Sequence, residues 1–93
     1  MKNIDITNNY KLNKILKIMA KSIDTLKETV REDINNYCFC VSIDIAKILV
    51  NDLSKYSITT RKYSLPVKVY DLDVILDKTI QKDTFYLINK REV

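Results

Sequence analysis

Residues 57–64 read SITTRKYS, a short run of hydroxyls interleaved with fixed positive charge. These are the side chains that meet phosphate. Arg and Lys supply charge-assisted donors, and Ser, Thr and Tyr supply neutral ones. Thr59, Thr60, Arg61, Lys62 and Tyr63 are therefore candidate DNA-binding residues. Lys55 and Lys68 flank them, and Lys78 and Lys82 extend the set. The distribution of charge supports this choice. Residues 51–70 carry four basic groups against Asp52, a net of +3, while residues 1–50 carry eight basic and six acidic groups and residues 71–93 four basic and five acidic. A locally basic surface attracts phosphate and binds it in a salt-dependent way. A solvated surface with no partner is the ordinary alternative for such charges.

Other chemistry is thinly represented. With no His there is no imidazole base and no His metal ligand, and with no Gly there is no phosphate-cradling glycine loop. Asp71, Asp73 and Asp77 lie close together but lack the spacing and the glycine of a calcium loop. Cys38 and Cys40 would share one face of a strand, but two thiols alone do not complete a tetrahedral zinc site. Burial as small apolar side chains is the expected role for both. The expectation is a non-enzyme with no cofactor and no metal.

The elements that would position the basic residues can be traced along the chain. One domain over 1–93 is expected from a chain of this length, with a composition 46% apolar and 30% charged. No apolar run approaches the roughly 20 residues of a membrane helix. The segment MKNIDITNN lacks the apolar core of a signal peptide. A cytoplasmic protein without membrane contact is expected. Residues 3–6, NIDI, alternate as a short edge strand would, and Thr7 or Asn8 can cap a helix after it. From Leu12 through Ile15, Leu16, Met19, Ile23 and Leu26 to Val30, apolar residues recur every three or four positions. The outer face carries Lys11, Lys14, Lys17, Lys21 and Lys27. As one helix, residues 8–34 would span about 40 Å, so a break near 21–24 with Ser22 as a cap is an alternative. The same rhythm suits a dimerising helix, although packing on the chain's own core is the commoner use. Tyr37–Val41, YCFCV, is β-favouring.

Residues 42–50 return to helical spacing, with Ser42 as cap and Ala46 as the small residue where a second helix can cross. Residues 51–56 are a polar turn or a continuation of that helix. Ser57 opens a short helix to Ser64, and Pro66 ends it. In that helix Ile58 and Leu65 face the core. Tyr37 and Tyr70 are assigned to the core, whereas Tyr56 and Tyr63 are free to stack or to bond phosphate. VKVY and TFYLIN are strands. The segment between them, DLDVILDKTIQKD, fits either a helix or, preferred here, the arms of a β-ribbon with its tip near Lys78–Lys82.

Helix, strand, helix, turn, helix, strand, wing, strand is the order of a winged helix-turn-helix domain. The chain resembles that family over residues 8–89, with SIDIAKIL as first motif helix, SITTRKYSL as recognition helix, and PVKVY with TFYLIN as wing strands. Two departures stand out. Val50 occupies the position where the family favours Gly, and the connection to Ser57 is long. The resemblance implies an α+β fold with N-terminal amphipathic helices, a helix-turn-helix and a C-terminal β-hairpin wing. It also implies a recognition helix in the major groove. Lack of Gly and Trp with abundant Ile, Lys and Asn points to an AT-rich coding sequence, and size and layout resemble relaxosome accessory proteins that bind conjugative transfer origins. The expected function is sequence-specific binding of double-stranded DNA as an accessory or regulatory factor of a plasmid or phage. A homodimer and a relaxase or other nucleoprotein partner are compatible with it. The alternative is a small phage-type inhibitor or adaptor that binds a host protein instead of DNA.

Overall fold

The computed structural model describes residues 2–50, 52–56 and 58–93, with side chains from Lys11 onward. A long helix α1 (Lys2–Thr29) leads into strand β1 (Tyr37–Val41) and a short helix α2 (Ile43–Leu49). Strands β2 (Lys62–Val69), β3 (Leu72–Asp77) and β4 (Phe85–Asn89) come next. Single 3-10 turns lie at Ile34–Asn36, Leu53–Lys55 and Lys90–Glu92. The strands form one sheet in the order β2-β3-β1-β4. β1 runs parallel to β3, and the two outer pairs are antiparallel.

The apolar stripe of α1 does what its spacing requires. Met19 and Ile23 are buried against the sheet, with Ile15 and Leu16 packed beside them. The helix is unbroken at 21–24: the Ser22 hydroxyl donates to the Ile18 carbonyl within the same helix. Residues 3–6 belong to α1 and not to an edge strand, because four alternating residues are too short a signal against a helical run beginning beside them. Thr7 and Asn8 accordingly lie inside the helix.

The core face of the sheet carries Phe39 and Val41 from β1, Leu72, Val74 and Leu76 from β3, and Leu65 and Val69 from β2. Phe39 is fully buried and meets Phe85 of β4 edge to face at 5.8 Å. α2 closes this layer with Ile45 and Ala46, and it touches both α1 and β3. Ser42 sits at the cap position of α2 without a capping hydrogen bond, and its hydroxyl is buried and unpaired. Cys38 and Cys40 point to the opposite face, away from the side on which α1 and α2 pack. Asp73, Ile75, Tyr86 and Ile88 are their cross-strand neighbours there. Lys90 reaches over β1 to pair with Asp73 at 3.3 Å. Both thiols are buried and free. Burial pushes Cys38 up and Cys40 up to about 11, so neither is a thiolate at neutral pH.

These facts overturn the winged helix-turn-helix arrangement. Among the described residues there are two α-helices, and the expected recognition helix is absent: residues 62–64 begin β2, and 58–61 approach it as a loop. Ser57 lies outside the described residues. The two expected wing strands do not pair. β2 and β4 are the opposite edges of the sheet. The ribbon turns at Tyr70–Asp71, not near Lys78–Lys82, and both turn residues have positive φ, 51° and 66°. That is the twist a two-residue hairpin needs, met here without glycine. Tyr70 is exposed, not core, and its hydroxyl donates to the Leu16 carbonyl of α1 at 3.1 Å. Pro66 does not stop a helix. It lies in an edge strand, inside the register shift between Ser64 and Lys68, where a missing N–H costs no ladder bond.

Candidate nucleic-acid interface

The carboxyl ends of β1 and β3 lie at one end of the sheet, and three connections converge there: Ser42 into α2, residues 50–61 into β2, and 78–84 into β4. Two of them are stitched together. The Lys78 amide donates to the Arg61 carbonyl at 3.0 Å, and the Lys78 ammonium to the Ile58 carbonyl at 2.7 Å. Asp77, buried at the end of β3, accepts from the Thr79 hydroxyl at 2.6 Å and the Thr79 amide at 2.9 Å. Those donors, with Lys62 and Arg61 nearby, hold its carboxyl below the usual range. The turn after β3 is thus fixed, and it fixes the 58–61 loop.

This framework brings Lys55, Thr59, Thr60, Arg61 and Lys78 to the same end of the molecule, all exposed. Lys82 joins them from the 78–84 connection. The Thr60 hydroxyl donates to the Lys62 carbonyl at 2.6 Å and so shapes the loop. The remaining candidates fall elsewhere. Tyr63 is half-buried and packs on the core, its ring 6.5 Å from that of Tyr56. Lys62 is half-buried opposite Asp77, and Lys68 is paired with Asp73 at 3.7 Å on the sheet face away from α1 and α2.

Lys47 is a further cation of this end that sequence reasoning missed. It projects from α2 and lines a groove of about 280 Å³ together with Ile43, Leu53, Tyr56, Ile58 and Lys78. The one signal in the sequence is its place directly after Ala46 on a helix whose other face is apolar. The ion pairs found among the described residues are Lys68–Asp73 and Lys90–Asp73, so among those residues no cation of this end is in an ion pair. Its acids have other partners: Asp52 accepts from Ser54, Asp77 from Thr79. Asp44 accepts from the Asp83 amide at 2.7 Å. The Asp44 carboxylate raises the neighbouring Asp83 above its ordinary range.

No helix of the described residues is long and apolar enough to cross a membrane. Comparison with known protein families, with characterised proteins and with solved structures finds no match to this chain.

Proposed function

We propose that the protein binds double-stranded DNA through phosphate contacts made by Lys47, Lys55, Arg61 and Lys78, and acts as an accessory or regulatory factor on that DNA. The observation that carries this reading is the convergence of these cations from three connections at one end of the sheet, with none of them in an ion pair among the described residues. Thr59 and Thr60 supply neutral donors beside them. The affinity is backbone-led. α2 has seven residues and exposes Ile43 and Lys47, a face of about one turn that is too short to span a major groove, so base readout falls to loop side chains such as Arg61.

A second reading has its own support. Ile43 is 43% exposed and forms, with Leu53, Tyr56 and Ile58, an apolar floor between Lys47 and Lys78. That floor fits an acidic peptide bearing an apolar side chain, as an adaptor or inhibitor of another protein would meet. Titration of duplex DNA, single-stranded DNA and an acidic peptide at ~50 mM salt separates the two, because phosphate contacts are strong there. Duplex binding with a steep salt dependence supports the first. Absence of duplex binding under those conditions sinks it, and saturable peptide binding then favours the second.

A further inference from the structure

The two edges of the sheet are treated differently. β2 carries Pro66, a register shift and two lysines, Lys62 and Lys68. These are the devices that stop an edge strand from pairing with another chain. β4 reads FYLIN, with no Pro, no charge and an unbroken register against β1. Among the described residues its outer side has no strand neighbour.

The flank of α1 above that edge is equally bare. Ile18, Lys21, Ser22, Thr25, Leu26 and Thr29 border a groove of about 390 Å³ against Leu87, the middle residue of β4. Ile18 is 47% exposed. The three hydroxyls on this flank turn back onto their own helix: Ser22 to Ile18 O, Thr25 to Lys21 O, and Thr29 to Thr25 and Leu26 O. The flank therefore presents small side chains whose hydrogen bonds are already made, a surface another helix can approach closely. Charge is segregated along it. Lys11, Lys14 and Lys21 lie toward the amino end of this flank, and Glu28 toward its carboxyl end.

We propose that the protein self-associates as a two-fold dimer, with β4 pairing antiparallel to β4 of a second copy and the α1 helices packing antiparallel above the joint. A dyad at Leu87 passes α1 between residues 23 and 24. Ser22 of one copy then faces Thr25 of the other, and Ile18 faces Thr29. Lys21 of one copy lies within one turn of Glu28 of the other along the helix axis, and the pair occurs twice, so the charge of this flank is complementary to itself under that rotation. The sheet becomes eight-stranded, and its only remaining edges are the two blunted β2 strands. This inference is independent of the DNA-binding proposal and is tested without nucleic acid.

The test is the mass in solution by light scattering and sedimentation, at about 100 µM, where even a weak interface is populated. A species of twice 10.9 kDa is expected. Lys21→Glu and Glu28→Lys each place like charges across the dyad twice and should weaken self-association about tenfold. The double variant restores opposite charges and should recover the wild-type constant. Both residues are exposed on the helix surface, so the monomer fold is retained, which circular dichroism checks. A wild type that is monomeric at this concentration overturns the proposal. So does a dimer that ignores the single variants, or a double variant that stays as weak as either single one.

Discussion

The salt dependence of DNA binding can be worked from the structure. Lys47, Lys55, Arg61 and Lys78 are the cations gathered on or beside one groove and loop. If each neutralises one phosphate, the slope of log K against log salt on duplex DNA is about −3.6. Between 50 and 200 mM salt the affinity should then fall about 150-fold. Lys47, Lys55 and Arg61 make no described ion pair or side-chain hydrogen bond, so all three can be changed to Ala without touching the fold. The triple variant retains a slope of about −0.9, and its affinity changes only about fourfold over the same range. Lys78 is left in place because it also holds the Ile58 carbonyl. Fluorescence anisotropy of a labelled duplex across a salt series reads the slope directly, and circular dichroism confirms that the variant is folded. A triple variant with the wild-type slope refutes the assignment of these residues and moves the contact to another surface.

Other outcomes rest on the packing and the buried groups. Phe39→Ala removes a fully buried ring and its edge-to-face partner contact and should cost about 3–5 kcal/mol; a urea-melt difference under about 1 kcal/mol would contradict the placement of β1 at the centre of the core. Tyr70→Phe removes the hydrogen bond that ties the β2–β3 hairpin to α1 and should cost about 1 kcal/mol. An unchanged urea midpoint shows that the bond contributes nothing. The Cys40 thiol rises on folding from 9.0 to about 11. Its stabilising effect is complete below the unfolded value and is lost as pH climbs through the folded one, on the order of 2 kcal/mol in all. Melts between pH 8 and about pH 11 should show that decline, and Cys40→Ala should lessen it; an alkaline limb identical in the variant would assign the loss to other groups. The native thiols should also resist alkylation at neutral pH, and rapid labelling of folded protein would show that the sheet face bearing them opens.

Local periodicity is readable in this chain and long-range pairing is not. The stripe from Ile15 to Ile23 predicts α1 because a helix face repeats within the segment itself, and YCFCV predicts β1 for a similar reason. LDVILD is ambiguous since Leu72, Val74 and Leu76 alternate while Leu72, Ile75 and Leu76 also share a helix face; its pairing with β1, over thirty residues away, decides the matter. The spacing of Ile58 and Leu65 imitates a helix because the irregularity around Pro66 disturbs the alternation that would have revealed β2. The winged arrangement fails on the same ground. Nothing in PVKVY or TFYLIN says that β3 and β1 will come between them. Of the candidate site, Lys55, Arg61 and Lys78 are visible as charge and hydroxyl density, whereas Lys47 joins them only through the position of α2.

The placement of β1 has a consequence for the order of events during synthesis. It is the first strand to be made, yet both of its neighbours, β3 and β4, are made later. The hairpin of β2 and β3 can close as soon as residue 77 has emerged, because its partners adjoin in sequence. YCFCV, apolar and β-prone, keeps one unsatisfied flank until residues 85–89 have appeared. A ribosome that pauses before that point holds out a sticky strand, with α1 and α2 as its early cover. Residues 85–89 therefore act as the fastener of the nascent chain, and their deletion should show itself first as insoluble product instead of a looser fold.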